Sequence, residues 1–290
     1  MKARSMLFTL YGDSIERYGG EAAAQCLIAL MGALGFSPQA VRAALARMVR
    51  QAWLQRRRVG RRSFYALTPR GRLRVEHGTS RIYTLDHRPW DGRWRIFAYA
   101  VPERKRSLRD RLRRELAWLG MGPLAGGIWI SPYDLHDHIA AFVQAHGLGP
   151  YVAEFVGKHL GPAADRELVA RCWDLPAIAR WHERFVADYL PRLESLQQRL
   201  AAGEGLTDQA AFVEKIHLVH EYRKALYVDP WLPAELLPAD WRGRDSARLF
   251  FDYYRLLDPP ATRFFEALFE APPDAQPVGA PAARFRPAVA

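Results

Sequence analysis

Residues 37–69 read SPQAVRAALARMVRQAWLQRRRVGRRSFYALTP, and this stretch decides the fold of the N-terminal part of the chain. Ser37 is a preferred helix N-cap, and Pro38 suits the first helical position. Apolar residues then recur at the spacing of one helix face: Val41, Ala44, Leu45, Met48 and Ala52. The pattern predicts an amphipathic helix that runs to about Trp53.

Two short strands around a turn at Val59-Gly60 are predicted directly after this helix. Arginines flank the turn on both sides: Arg56, Arg57, Arg58, Arg61 and Arg62. Phe64, Tyr65 and Leu67 favour a strand. Thr68-Pro69 then caps a further helix, to about Gly78.

Two helices are predicted upstream, from Ser5 to about Tyr18 and from Glu21 to Leu34, separated by Gly19-Gly20 and ended by Gly35. Three helices, a basic hairpin and a fourth helix predict a winged helix-turn-helix over residues 1–88. In that geometry the third helix enters the major groove and the hairpin contacts phosphates. The residues expected to bind DNA are Ser37, Gln39, Arg42, Arg47, Arg50, Arg58, Arg61 and Arg62.

The distribution of charge supports a polyanionic partner for this part of the chain. Residues 1–90 hold 16 Lys and Arg against 5 Asp and Glu, whereas residues 91–290 hold 26 of each kind. A basic block on an otherwise balanced protein indicates nucleic acid or an anionic membrane surface. Membrane binding needs an exposed apolar helix face. The helices here need those faces for a core, so double-stranded DNA is the expected partner.

Several classes of protein are excluded by composition. Cys26 and Cys172 lie far apart without a Cys-x-x-Cys motif, which argues against a disulfide framework or a cysteine zinc site. The most apolar stretch, residues 22–36, is shorter than the ~20 residues that a membrane-spanning helix needs. The N-terminal apolar run is too short for a signal peptide. We expect a cytoplasmic protein.

The segment from residue 90 to 160 alternates strands and helices in the order β-α-β-β-α-β. This order predicts a small ferredoxin-like sheet with helices on one face. The run Arg104–Arg114 is strongly basic. It allows two interpretations: a solvated helix face balanced by neighbouring acids, or an accessory surface for DNA or an acidic partner.

Residues 173–270 predict a mainly helical domain, so the fold class is α+β. The expected helices cover Leu175–Leu200, a segment capped by Thr207 or Asp208 through Tyr222, and Ser246 to about Leu256, with a short helix after Pro260. Residues 271–290, rich in proline and alanine, are expected to be a disordered tail.

The sequence resembles the PaaX family, the transcriptional repressors of phenylacetate catabolism operons. The matching segments are Arg4-Ser5, Tyr11-Gly12-Asp13, Val41 to Met48, Tyr65-Ala66-Leu67-Thr68-Pro69 with Gly71, Trp94-Arg95, His220-Glu221-Tyr222-Arg223, Asp229-Pro230, and Leu232 to Pro238 with Asp240-Trp241. The resemblance covers about residues 4–270. It implies a repressor that binds its operator as a homodimer and leaves it when an aryl-acetyl-coenzyme A thioester binds.

An enzyme is not expected. The middle segment resembles, more weakly, the ferredoxin-like nucleases of CRISPR adaptation, which carry an aspartate after the first strand's tyrosine. Here Ala100 follows Tyr99, and a metal site is hard to build without that carboxylate. His217 and His220 share a predicted helix, but no third metal ligand is identifiable. Asp13 is expected on a helix surface. We expect neither a metal nor a cofactor.

The effector-binding site is expected in the segments that follow the N-terminal domain, residues 90–160 and 173–270. A coenzyme A thioester needs cationic side chains for its phosphates and an aromatic-lined pocket for its acyl group. Both types occur around one proline-punctuated loop, in His220, Arg223, Trp231 and Trp241. Two functions stay open: a ligand-released repressor, and a DNA-binding protein whose rear domains serve only for assembly.

Overall fold

The computed structural model describes residues 2–83, 89–161 and 164–274, and these divide into two compact units. The first unit comprises residues 2–83, 185–223 and 245–274. The second comprises residues 89–161, 164–184 and 224–244.

The first unit combines a small antiparallel sheet with seven helices or parts of helices. Its strands, in the order β1-β3-β2, are β1 (Glu21–Ala23), β2 (Leu54–Val59) and β3 (Arg62–Leu67). The helices are α1 (Ala3–Asp13), α2 (Ala24–Ala33), α3 (Pro38–Arg50), α4 (Pro69–Ile82), α8 (Leu175–Ala201, from residue 185), α9 (Asp208–Tyr222) and α10 (Gly243–Leu268, from residue 245).

Three elements of this unit differ from the sequence-based predictions. The helix expected to run to about Tyr18 ends at Asp13, and a separate 3-10 helix covers Ile15–Tyr18. Residues 21–23 form strand β1 rather than the start of a helix, because Ala22 pairs with Tyr65 of β3. Residues 243–268 form one helix where two were expected, although it contains Pro259 and Pro260. Its buried face continues past the prolines at helical spacing, so packing maintains the helix: Leu257, Ala261 and Phe265 are all buried.

A buried charged cluster, which the sequence did not indicate, lies inside the first unit. Asp13 was expected on a helix surface and is instead 1% exposed. Its Oδ2 lies 3.1 Å from Nζ of buried Lys215, which also lies 2.9 Å from Oδ1 of Asp258. The hydroxyls of Tyr83 and Tyr254 donate to Oδ1 of Asp13 at 2.7 and 2.9 Å. These partners offset the cost of removing the carboxylate from water.

The second unit is built on a four-stranded antiparallel sheet in the order β5-β6-β4-β7. The order is that of a β-α-β-β-α-β ferredoxin-like sheet, as predicted. Its elements are β4 (Trp94–Tyr99), α5 (Arg106–Leu119), β5 (Gly122–Ala125), β6 (Ile128–Ser131), α6 (His136–Ala145) and β7 (Val152–Gly157), followed by α7 (Asp165–Cys172).

Both faces of the central strands β4 and β6 are covered, whereas residues 153–156 of the edge strand β7 are exposed. Phe97 and Trp129 pack with residues of α5 and α6, the two helices of the predicted face. Trp94 and Ile130 point to the opposite face and pack with α7 and with Leu232 of the 228–241 loop. The expectation of helices on one face was therefore incomplete. Helix α7, which the sequence pattern did not predict, fills the second face.

Candidate nucleic-acid interface

Helix α3 presents a polar face to solvent. Oγ of Ser37 accepts a hydrogen bond from the backbone N–H of Ala40 at 3.2 Å, so this residue acts as the N-cap. The predicted apolar face is buried, apart from Ala52, which lies beyond the end of the helix. The opposite face is exposed and carries Gln39, Arg42, Ala43, Ala46, Arg47 and Arg50. None of its arginines makes an ion pair within the described residues, so this face is free to meet an anion.

Strands β2 and β3 form the predicted hairpin, in which Val59 pairs with Arg62 and Arg57 with Phe64. Gly60 at the turn adopts a φ of +58°, which glycine accommodates without steric cost. The five arginines of the hairpin are exposed. They differ in which partners they have.

Acidic residues pair with two of these arginines. Arg57 donates to both oxygens of Glu21, at 3.1 and 2.9 Å, and to both oxygens of Asp274, at 2.6 and 3.0 Å. The bonds from Arg57 hold the pKa of Asp274 below its usual value. Arg62 pairs with Glu270. The segment after α10 therefore neutralises part of the hairpin.

The other three hairpin arginines make no ion pair in the part of the chain that the structure describes. Nε of Arg58 donates to the carbonyl oxygen of Gly60 at 3.1 Å, and Arg56 and Arg61 extend into solvent. Sequence reasoning did not include Arg56 among the candidates. It also missed the three acidic partners of the hairpin, Glu21, Glu270 and Asp274, because they lie far from residues 54–67 in the sequence. Residues 275–290 of the predicted tail lie outside the described residues.

The end of α3 is joined firmly to the base of the hairpin. Oγ1 of Thr68 donates to the carbonyl oxygen of Ala52 at 2.8 Å. A Cβ at Gly71 would lie 2.4 Å from the carbonyl oxygen of Trp53, so only glycine fits there. The hydroxyl of Tyr11 in α1 donates to the carbonyl oxygen of Tyr65 in β3 at 2.8 Å. Helix α3 and the hairpin thus form one rigid surface.

Comparison with known proteins gives three matches that together span most of the chain. Residues 2–71 match the model of a PaaX-like protein, residues 87–169 the PaaX protein central Cas2-like domain, and residues 173–267 the PaaX-like protein C-terminal domain. The transcriptional repressor PaaX of Escherichia coli (strain K12) is 34% identical over 263 residues, which cover 90% of this chain and 82% of that protein. The chain belongs to the PaaX family.

A solved structure is also similar to this PaaX-family chain. The uncharacterized protein Rv0674 from Mycobacterium tuberculosis is 26% identical, with a TM-score of 0.52. The match covers 92% of this chain and 98% of that one. The family assignment confirms the resemblance to the PaaX family, and the central domain matches a Cas2-like domain. The structure shows the predicted helical C-terminal part. The Escherichia coli relative is a transcriptional repressor.

The four residues predicted to bind the effector do not lie together in one unit of this PaaX-family chain. His220 and Arg223 belong to the first unit, and Trp231 and Trp241 to the second. Nδ1 of His220 lies 2.8 Å from Oγ1 of Thr9. Arg223 donates to the carbonyl oxygen and the hydroxyl of Ser5. Both side chains therefore contact α1.

The two tryptophans are part of the packing of the second unit. The backbone N–H of Trp231 donates to Oδ1 of Asp229 at 2.7 Å, and its carbonyl oxygen accepts from the hydroxyl of Tyr133 at 2.6 Å. The ring of Trp241 meets that of His182 edge to face. Nothing in this arrangement tests effector binding, which stays a prediction for all four residues.

No group of three or more metal-ligating side chains occurs in residues 2–83, 89–161 and 164–274 of this PaaX-family protein. His217 and His220 lie on α9 without a third ligand close by. Among the same residues, no helix combines the length and apolar character needed to cross a membrane.

Proposed function

We propose that this protein is a transcriptional repressor that binds double-stranded DNA through α3 and the β2–β3 hairpin, in a winged helix-turn-helix arrangement. The observation that carries the proposal is the exposed face of α3, with Gln39, Arg42, Arg47 and Arg50. This helix is joined by hydrogen bonds to a hairpin in which three exposed arginines make no ion pair among the described residues. A helix of this kind reads base edges in the major groove, while flanking arginines neutralise phosphates. Similarity to the transcriptional repressor PaaX of Escherichia coli supports the role of a repressor.

The operator is found by selection of bound duplexes from a random-sequence library, followed by fluorescence anisotropy on the selected site. We expect binding at least about a thousandfold tighter than to a scrambled duplex. The double variant Arg42→Ala/Arg47→Ala should lose most of this preference. Arg111→Ala/Arg114→Ala is the matched control, since it removes two exposed charges from α5. Equal losses in both would contradict recognition by α3.

The repressor is proposed to act as a homodimer in the cytoplasm. One recognition helix contacts too few base pairs to define a unique site, and two copies related by a two-fold axis read two half-sites. Sedimentation of the protein alone and with its operator tests this. A single copy in both states would refute the dimer.

The effector is proposed to be an aryl-acetyl-coenzyme A thioester such as phenylacetyl-coenzyme A. An effector removes a repressor from DNA only by binding its two conformations with different affinities. The family resemblance supports this part of the proposal. Titration of phenylacetyl-coenzyme A into the protein–operator complex should release the DNA, and free phenylacetate should not. If the protein–operator complex persists at saturating thioester, the alternative is favoured in which the central and C-terminal domains serve only for assembly.

A further inference from the structure

A cavity of about 380 Å³ lies in the second unit, between α5 and the β5–β6 hairpin. Tyr99 at the end of β4, Trp129 of β6, Arg109 and Arg113 of α5, and the backbone around Gly126 contribute to its lining. The volume falls within the range of about 300–1,000 Å³ that is usual for small-molecule sites. Neither the proposed DNA interface nor the predicted effector residues include this cavity.

The cavity is cationic. None of its lining residues is acidic, and Arg109 and Arg113 lie four residues apart, on one face of α5. Arg113 is exposed and makes no ion pair among the described residues. Nη1 of Arg109 donates to Oε2 of Glu103 at 2.8 Å. The side chain of Glu103 is 70% exposed, so it can turn into solvent when a stronger anion binds.

Aromatic rings and a preformed backbone complete the walls. The Tyr99 ring is half-buried and the Trp129 ring is 6% exposed. The backbone N–H of Tyr99 donates to the carbonyl oxygen of Gly127 at 2.8 Å, and a Cβ at Gly127 would lie 2.4 Å from the carbonyl oxygen of Tyr99. This close approach fixes the hairpin against β4.

We propose that this cavity binds a small molecule that carries phosphate groups and a ring, with the phosphates on Arg109 and Arg113 and the ring against Tyr99. The inference rests on the proposed function and identifies where the phosphate-bearing half of the thioester binds. Guanidinium groups suit phosphates because their N–H donors match the phosphate oxygens in geometry and charge. A DNA backbone is a poorer fit, since its phosphates lie on a convex surface and cannot enter a cavity beside two rings.

The test is calorimetric titration of the full chain with phenylacetyl-coenzyme A, coenzyme A and free phenylacetate. The variant is Arg113→Glu, and Arg111→Glu is its control, because Arg111 is exposed on the same helix but does not line the cavity. Loss of a charge-assisted hydrogen bond should weaken thioester binding by roughly ten- to a hundredfold in Arg113→Glu. The control should bind as the wild type does, and Arg113→Lys should keep part of the affinity. Coenzyme A should show the same dependence, and phenylacetate should not bind.

The outcomes separate this inference from the proposed function. If Arg113→Glu binds the thioester as tightly as the wild type does, the phosphates bind elsewhere. That result overturns the inference and leaves the proposed function unaffected. If thioester binding weakens equally in Arg113→Glu and Arg111→Glu, the cause is the overall positive charge of α5 and not a contact in the cavity. That result also overturns the inference. Lost operator affinity in Arg113→Glu with unchanged thioester binding makes α5 a DNA surface. A wild-type protein that binds no thioester overturns both the cavity assignment and effector release, while DNA binding stands.

Discussion

The unequal pairing of the hairpin arginines leads to a sharp prediction about the salt dependence of DNA binding. Arg58 and Arg61 make no ion pair within the described residues, whereas Arg57 and Arg62 are held by carboxylates. Two double variants remove equal charge from the same hairpin: Arg58→Ala/Arg61→Ala and Arg57→Ala/Arg62→Ala. Only the first should remove contacts to phosphates.

The magnitude follows from counterion release. Each phosphate contact contributes about 0.9 to the slope of log K against log salt concentration. Loss of two contacts should therefore lower the slope by about 1.8, so that the variant loses about twelvefold less affinity than the wild type between 50 and 200 mM salt. Arg57→Ala/Arg62→Ala should keep a slope near that of the wild type, since its arginines already neutralise carboxylates.

The assay is fluorescence anisotropy with one duplex over that salt range, for the wild type and both double variants. Both variants should keep the sequence preference of the wild type, because phosphate contacts carry no sequence information. An unchanged slope in Arg58→Ala/Arg61→Ala would refute the assignment of the hairpin to phosphates. Equal flattening in both variants would show that the carboxylate partners leave the hairpin when DNA binds.

Three further results are expected. Gln39→Ala and Arg42→Ala should each relax specificity at one position per half-site, by about 1–3 kcal/mol in binding to single-base operator variants, and uniform weakening would contradict base reading. Lys215→Met should lower the free energy of unfolding in urea by about 3–5 kcal/mol because Asp13 would be buried without its counter-charge, and a loss below about 1 kcal/mol would contradict this. Glu270→Gln/Asp274→Asn should tighten binding to a scrambled duplex at low salt, and an unchanged affinity would show that these carboxylates do not compete with DNA.

Local signals in the sequence were sufficient for much of the proposed DNA-binding surface. The cap at Ser37, the apolar spacing of α3 and the turn at Gly60 each depend on residues within about one or two helical turns. Such signals fix an element and its exposed face without information from distant parts of the chain. The same local signals left Thr207 and Asp208 as alternative N-caps of α9, and the structure shows Thr207, whose Oγ1 accepts a hydrogen bond from the backbone N–H of Ala210.

Elements that depend on distant partners were not predictable in this way. Strand β1 has three residues, too few for a periodic pattern, and it exists because β3 lies beside it. The pairing of Arg57 with Asp274 joins positions 217 residues apart. The low helix propensity of proline favours a break in α10 at Pro259 and Pro260. Burial of the apolar residues that follow outweighs this preference, so the helix continues.

Contacts between α1 and α9 give the predicted effector residues a physical setting that the sequence alone did not provide. Ser5, Thr9 and Asp13 follow one another at intervals of four residues, on one face of α1. Each meets a side chain on or just after α9, in the pairs Ser5–Arg223, Thr9–His220 and Asp13–Lys215. Because the three contacts are directional and partly buried, α1 cannot slide along α9 without breaking them.

The same helix α1 is tied to the hairpin through the hydrogen bond from Tyr11 to Tyr65. We therefore expect a shift of α9 to disturb the surface proposed to bind DNA, because α1 contacts both α9 and the hairpin. Coupling of this kind needs a contiguous element that both sites can bias, and α1 has the contacts of such an element. We therefore expect His220 and Arg223 to influence DNA binding by holding α1 in place, whether or not they contact an effector.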